Sequence, residues 1–223
     1  MPVAFIARRG LTCKAYFVTM ISPDVKQKIA RLADSDPWTW IVVLYATQVL
    51  GAVLGAVALG LGSEQMVVPI GLLITGTLHA VVALSGSRAA SSKVPHRRLP
   101  AIIYGLFIFS LSNESFEQVD APFNFNVFHP LEYAVLAIFF CWMRDPVLIS
   151  KGSPPLVLRV LAGGVAFAVL DEIHQSFIPG RMPSLVDVLL DGVGLSIGCA
   201  LFFSGRLLRR TFAQEGLHER LER

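Results

Sequence analysis

Residues 156–203 read LVLRVLAGGVAFAVLDEIHQSFIPGRMPSLVDVLLDGVGLSIGCALFF, in which two apolar blocks enclose a polar turn. Within residues 171–192 the chain places four carboxylates, one histidine and one arginine. Pro179 and Gly180 break the helical pattern there, and Ser184 suits the N-cap of the second block. A charged side chain at membrane depth is unfavourable unless it is paired or hydrated. The stretch therefore predicts a helical hairpin whose turn lies at a membrane surface.

The composition of the whole chain indicates a helical membrane protein. Of its 223 residues, 54% are hydrophobic and only 16% are charged, and the mean hydropathy is +0.61. A soluble domain carries about a quarter charged residues, and the apolar residues here come in blocks without the alternation of soluble amphipathic helices. Strands of a membrane barrel would alternate apolar and polar residues over about ten positions. We therefore predict an all-α membrane protein.

Six apolar blocks are candidate spans, although the third is shorter than the roughly 20 residues that a bilayer requires. Their predicted bounds are residues 38–61, 67–84, 99–111, 127–142, 156–173 and 185–203. Lysine and arginine concentrate in cytoplasmic loops. With a cytoplasmic amino terminus, 18 of the 19 basic residues lie on the cytoplasmic side, and only Arg181 lies on the outer side. The pattern predicts a six-span bundle with both termini in the cytoplasm.

Two pairs of glycines have the spacing that lets membrane helices approach closely. Gly51 and Gly55 lie in the first span, and Gly194 and Gly198 lie in the sixth. Small residues four positions apart form such contact faces, although a glycine-rich chain also produces these pairs by chance. The same glycine-containing faces offer a surface for a homo-oligomer.

Polar residues at the outer ends of the last three spans are predicted to form one pocket. Ionisable residues in membrane spans usually mark a functional site, and nearly all those of this chain lie there. The predicted pocket residues are His129, Glu132, Tyr133, Asp171, Glu172, His174, Gln175, Arg181, Ser184, Asp187 and Asp191.

Helical spacing places several of these residues on common faces. Asp171, His174 and Gln175 lie at i, i+3 and i+4 near the end of the fifth span. Asp187 and Asp191 are four residues apart near the start of the sixth span. Because residues with this spacing are neighbours on a helix surface, each group is expected to face the same neighbouring helix.

Several pocket residues also have purely structural interpretations, and the sequence leaves these open. Arg181 is suited to bind a phosphate or carboxylate with two parallel hydrogen bonds, but it also suits a buried ion pair with Asp171 or Asp187. Asp187 places a favourable negative charge at a helix N-terminus. Glu172 points away from Asp171 and either joins the pocket or faces water. The two histidines of the pocket also suit hydrogen bonds between helices.

Three strings of the chain resemble the VanZ-like family of bacterial membrane proteins. They are HPLEYAVL at residues 129–136, DEIHQSFIPGRMPSLVDVLLDGVGLSIG at residues 171–198 and FIFSLSNES at residues 107–115. The resemblance covers about residues 99–203. The family usually has asparagine at the position of Asp191, so this aspartate must find a proton or a partner.

The resemblance implies a bacterial cell-envelope protein that lies in the plasma membrane. The family is named for a protein linked to reduced susceptibility to teicoplanin, so the resemblance implies antibiotic resistance of the lipoglycopeptide kind. It also divides the chain into four regions. These are a cytoplasmic amphipathic segment (1–37), two additional spans with a basic loop (38–98), a four-helix VanZ-like core (99–203) and a basic cytoplasmic tail (204–223).

Two classes of function fit these features. In the first, a non-enzymatic envelope protein binds a lipid head group or a lipid-linked envelope precursor in its outward-facing pocket, with Arg181 at the phosphate or carboxylate. In the second, an enzyme acts on a lipid-linked substrate at the membrane interface. His129 or His174 would then serve as general base, or the histidines with Asp171 and Asp187 would hold a divalent metal.

The absence of catalytic motifs favours binding over catalysis. The chain contains no HExxH, GxGxxG or P-loop pattern, and we expect neither a cofactor nor a nucleic-acid partner. A proton-coupled transporter that uses Asp191 and His79 is the third possibility. It would need ionisable groups across the bilayer, and the inner halves of the spans are nearly bare.

Overall fold

The computed structural model describes residues 36–86, 94–114, 125–143 and 154–221, and their secondary structure is entirely helical. The all-α prediction is therefore confirmed for this part of the chain. The helices are α1 (Pro37–Leu59), α2 (Ser63–Ser85), α3 (Val94–Ser112), α4 (His129–Trp142), α5 (Pro154–Gln175) and α6 (Leu185–Leu221), with a short 3-10 helix at Phe125–Phe128. The amphipathic segment predicted for residues 1–37 lies outside the described residues except for its last two. Residues 36–203 form one compact unit.

Local chemistry sets the helix ends. The Asp36 carboxylate accepts a hydrogen bond from the Trp38 backbone N–H at 2.9 Å, and Pro37 occupies the first turn of α1, where proline loses no hydrogen bond. Gly60 ends α1 with a φ of 63°, a conformation that glycine adopts without strain. At α6, the Ser184 hydroxyl accepts from the Asp187 N–H at 3.3 Å, which confirms the predicted N-cap.

In the part of the chain that the structure describes, three helices have the length and composition of membrane spans. They are α1, α2 and residues 185–208 of α6, while α4 is apolar but shorter. Large apolar side chains on these helices and on α5 are exposed, as Val57, Leu78, Leu158 and Leu189 illustrate. Exposed apolar surface of this extent marks contact with a partner or a membrane. Together with the apolar spans, it identifies a membrane protein.

Aromatic residues join α1 to α3 and α4. The Tyr45 ring stacks on Phe139 with 4.9 Å between centroids, and the Tyr45 hydroxyl donates to the Pro100 carbonyl. The Tyr104 hydroxyl donates to Gln48 Oε1 at 3.4 Å. All three rings are almost fully buried. The first helix is thus part of the same core as the helices that follow the basic loop.

The two glycine pairs have different surroundings. A Cβ at Gly194 would overlap the backbone of Pro130, and one at Gly198 would overlap the backbone of Ala134. The prediction of close helix approach is confirmed there, because α6 packs on α4 through these two glycines. A Cβ at Gly51 or Gly55 would meet nothing within 4 Å, so the first pair makes no such contact with the described residues.

Aromatic and basic side chains gather where α1 begins and α4 ends. Trp38 and Trp142 meet edge to face with 5.7 Å between centroids, and the Arg97 guanidinium lies 4.8 Å from the Trp142 ring. His79 Nε2 lies 3.2 Å from the His96 carbonyl oxygen. His79 therefore contacts a neighbouring helix through the backbone and is not part of the pocket at the other helix ends.

Candidate functional site

Four helix ends meet at one end of the bundle, which we call the polar end. It comprises the last turns of α3 and α5 and the first turns of α4 and α6. The Ser112 hydroxyl joins α3 to Asp171 on α5, and His129 joins α4 to Asp191 on α6. The polar turn between α5 and α6 closes this end.

The Asp171 carboxylate accepts two hydrogen bonds at the polar end, and only 3% of the residue is exposed. Its Oδ2 accepts from the Ser112 hydroxyl at 2.7 Å and from Gln175 Nε2 at 3.1 Å. The second of these bonds follows from the i, i+4 spacing on α5. Its Oδ1 is buried and has no hydrogen-bond partner among the described residues. The two hydrogen bonds to Oδ2 fix the orientation of the carboxylate, and Oδ1 is left without a partner among the described residues.

Glu172 connects the end of α5 to the start of α6. Its Oε2 accepts from the Ser184 backbone N–H at 2.6 Å, and only 5% of the residue is exposed. The interpretation in which Glu172 faces water is therefore wrong. The N–H it binds precedes a helix start, where backbone donors lack intrahelical partners. Glu172 thus secures the polar turn.

Asp191 has the partner that an aspartate at this depth requires. Its Oδ1 lies 3.0 Å from His129 Nδ1, and only 1% of the aspartate is exposed. Asp187 is also buried, at 6% exposure, in the first turn of α6. There its negative charge is favoured by the helix dipole.

Arg181 holds the end of α3. Its Nε donates to the Glu114 carbonyl at 3.0 Å and its Nη2 donates to the Leu111 carbonyl at 3.3 Å. The Leu111 carbonyl also accepts from the Glu114 N–H at 3.0 Å. The Glu114 carbonyl lies just beyond the helix, where no intrahelical donor is available. His174 makes a similar bridge, with Nε2 2.9 Å from Asn113 Oδ1. Both side chains tie the α5–α6 hairpin to α3.

A cavity of about 330 Å³ opens beside these groups, within the range of small-molecule pockets, about 300–1,000 Å³. One wall is α1, which contributes mainly small residues. The rest of the lining comes mainly from the polar end, that is, from the ends of α3, α4 and α5 and from the turn between α5 and α6. Its polar lining residues are Ser112, His129, Glu132, Asp171, Gln175 and Arg181.

Five of the predicted pocket residues thus line the cavity, and the other six lie behind it or outside it. His129, Glu132, Asp171, Gln175 and Arg181 line it. Glu172, Ser184, Asp187 and Asp191 support the helix ends behind it through the contacts described above. His174 is bonded to Asn113. Tyr133 is fully buried, and its hydroxyl has no partner among the described residues.

Sequence reasoning missed the α1 wall and Ser112. Gly51, Ala52, Gly55 and Ala56 line the cavity, with Thr47 and Gln48 deeper along α1. A face of small residues was visible in the sequence, but the same pattern is typical of helix packing. Only the placement of α1 beside the polar end distinguishes an open wall from a packed one.

The described residues do not support a metal centre. Among residues 36–86, 94–114, 125–143 and 154–221, no group of three or more histidines, cysteines, aspartates and glutamates is placed to hold a metal ion. Cys141 and Cys199 are buried, with their sulfurs 4.0 Å apart as free thiols. The metal-dependent form of the enzyme hypothesis therefore gains no support here.

Comparison with known proteins identifies the family. The family model VanZ/LLP1 matches residues 67–209, more than half of the chain. The match starts earlier than the residue 99 expected from the sequence and takes in most of α2, while α1 precedes it. No curated protein and no solved structure matches the chain. The protein is an all-helical membrane protein that belongs to the VanZ/LLP1 family.

Proposed function

We propose that this VanZ/LLP1 protein is a non-enzymatic envelope protein that binds a membrane amphiphile, either a lipid or a lipid-linked envelope precursor. The observation that carries the proposal is that the cavity has both an apolar and a polar lining. The small residues of α1 give the cavity an apolar part, and the polar end gives it polar side chains, among them those of Asp171 and His129. An amphiphile is matched by such a pair of surfaces, because its chain and its head group need different surroundings.

The proposed topology has six spans, with both termini in the cytoplasm and the polar end at the outer surface. The lysine and arginine distribution supports it, since 18 of the 19 basic residues then lie on the cytoplasmic side. The contact between Arg97 and Trp142 lies at the opposite end of α4 from His129, which agrees with a basic and aromatic cytoplasmic interface. In this orientation a ligand enters from the outer leaflet.

Binding of a lipid-linked precursor would lower susceptibility to teicoplanin-type lipoglycopeptides by shielding the precursor from them. This part of the proposal rests on family membership. Expression of the chain in a susceptible bacterium should raise the inhibitory concentration of teicoplanin, and a variant with a filled cavity should not. An unchanged inhibitory concentration would remove the resistance role and leave the binding role to its own test.

Filling the cavity tests the binding role. In Gly55→Leu the new side chain points into open space, so we expect the protein to fold and to lose its co-purifying lipid, measured by mass spectrometry after purification in mild detergent. Gly163→Leu is the matched control, because Gly163 is a helical glycine with the same open surroundings outside the cavity. Equal amounts of the same lipid with both variants would overturn the proposal.

The contact between His129 and Asp191 keeps an enzymatic function as the second candidate. A carboxylate that orients a histidine is a common device of general-base catalysis, and His129 lines the cavity. In the described part of the chain no serine, threonine or cysteine is hydrogen-bonded to His129, so water would be the attacking group. This candidate predicts that His129→Gln keeps lipid binding but stops the release of a cleaved head group, detected by mass spectrometry.

A further inference from the structure

We propose that Asp171 recognises the primary ammonium group of a membrane amphiphile, such as that of phosphatidylethanolamine. This inference rests on the proposed function, because it assigns a head-group class to the same cavity. The starting observation concerns Asp171, which lines the cavity and is only 3% exposed. Its Oδ1 is buried and has no hydrogen-bond partner among the described residues. Buried polar atoms in native proteins are nearly always hydrogen-bonded. An acceptor atom without a partner, in a residue that lines a cavity, is explained by a hydrogen-bond donor that the ligand supplies.

The orientation of Asp171 is fixed before any ligand binds. Ser112 and Gln175 both donate to Oδ2, so neither competes for Oδ1. A carboxylate held in this way accepts a further hydrogen bond without losing side-chain freedom on binding. An ionised carboxylate only accepts hydrogen bonds. The ligand group that meets Oδ1 of ionised Asp171 must therefore be a donor, which excludes a bare phosphate or carboxylate as its partner.

The charges around the cavity favour a cation over a neutral hydroxyl. Glu132 lines the same cavity as Asp171, and Glu172, Asp187 and Asp191 are buried nearby at the polar end. Among the described residues, the basic side chains near this group are Arg181 on the turn, His129 on α4 and His174 on α5. Carboxylates outnumber these bases, and an ammonium group balances the excess. Its three N–H donors also allow a bond to Glu132 beside the bond to Asp171.

Three lipids with identical acyl chains test the inference on the full-length protein, purified, delipidated and titrated under native mass spectrometry. Phosphatidylethanolamine carries a primary ammonium, phosphatidylcholine carries a quaternary ammonium without N–H donors, and phosphatidylglycerol carries hydroxyls. We expect wild-type protein to bind phosphatidylethanolamine at least about tenfold more tightly than the other two, the ratio that one hydrogen bond to a charged group provides. Equal affinity for all three lipids would overturn the inference without any variant.

Asp171→Asn identifies the residue, because it keeps the shape of the side chain and removes its charge. In this variant the affinity for phosphatidylethanolamine should be within about twofold of the affinity for the other two lipids, because no hydrogen bond to a charged carboxylate then distinguishes them. Glu64→Gln is the control: Glu64 is an exposed acidic residue in the first turn of α2 that does not line the cavity, so the preference should persist. An undiminished preference in folded Asp171→Asn would overturn the assignment.

The two proposals fail in different ways. If Gly55→Leu abolishes the binding of all three lipids and wild type binds them equally, the cavity binds amphiphiles but Asp171 does not select the ammonium. If Gly55→Leu leaves lipid binding unchanged, the cavity is not the site, and both proposals are overturned.

Discussion

His129 Nδ1 lies 3.0 Å from Asp191 Oδ1, so the first residue of α4 is joined to the second turn of α6. The VanZ-like family usually has asparagine at this position, and an aspartate there brings a charge into the helix contact. The His129 imidazole lies within hydrogen-bond distance of that carboxylate. Glycines 194 and 198 bring the same two helices into backbone contact, so polar and steric features specify one interface together.

A double-mutant cycle tests this pair. His129→Ala should lower the free energy of unfolding by about 3–5 kcal/mol, because Asp191 is left buried without its partner. His129→Ala combined with Asp191→Asn should lose less than the sum of the two single losses. The measurement is unfolding by SDS in mixed micelles. As a control, His174→Ala should cost below about 1.5 kcal/mol, since its bond to Asn113 is exposed. Strictly additive losses would contradict the coupling.

Substitutions of glycine distinguish packed from open helix faces. Gly198→Ala should destabilise the protein by about 1–3 kcal/mol, because the added Cβ would overlap the Ala134 backbone. Gly51→Ala should instead raise the stability by about 0.5–1 kcal/mol, the usual gain in a helix interior, because its Cβ meets open space. SDS unfolding compares the two. A destabilised Gly51→Ala would mean that this face is packed against another element or a second copy.

Arg181 is expected to act through the end of α3. Arg181→Ala removes two hydrogen bonds to carbonyls, with an expected loss of about 1–3 kcal/mol and faster amide hydrogen exchange at residues 111–114. Arg181→Lys should recover part of the loss, because lysine lacks the planar fork that reaches both carbonyls. The earlier ion-pair interpretation makes a different prediction. Full rescue of Arg181→Ala by Asp187→Asn, with unchanged exchange at α3, would favour it.

Cysteine labelling tests the proposed topology. In a background without the native cysteines, Met182→Cys should react with a membrane-impermeant thiol reagent on intact cells, because Met182 is 85% exposed on the polar turn. Ser85→Cys, exposed at the end of α2, should react only after the cells are opened. Both positions are accessible in the folded chain, so the reagent reports the side of the membrane. The opposite result would invert the topology.

The sequence by itself determined the helical class and the order of the helices. Each of the six apolar blocks corresponds to one α-helix, because apolar length and the breaks at Pro179 and Gly180 are local signals. The N-cap at Ser184 was also predictable, since a hydroxyl before a helix start acts on a backbone donor three residues away. The close helix approach at Gly194 agrees with its spacing from Gly198, although that spacing named no partner helix.

Tertiary structure decided which polar residues share a cavity and which support it. Glu172 and Asp171 are neighbours in sequence, yet Glu172 binds the Ser184 N–H while Asp171 lines the cavity. The α1 wall could not be read from the sequence either, because Gly51 and Gly55 carry the same pattern as Gly194 and Gly198. The physical reason is that the sequence of a helix shows only how residues are spaced along its own faces. Whether a neighbouring backbone or an open space lies opposite depends on how separate helices pack, through contacts between residues far apart in the chain.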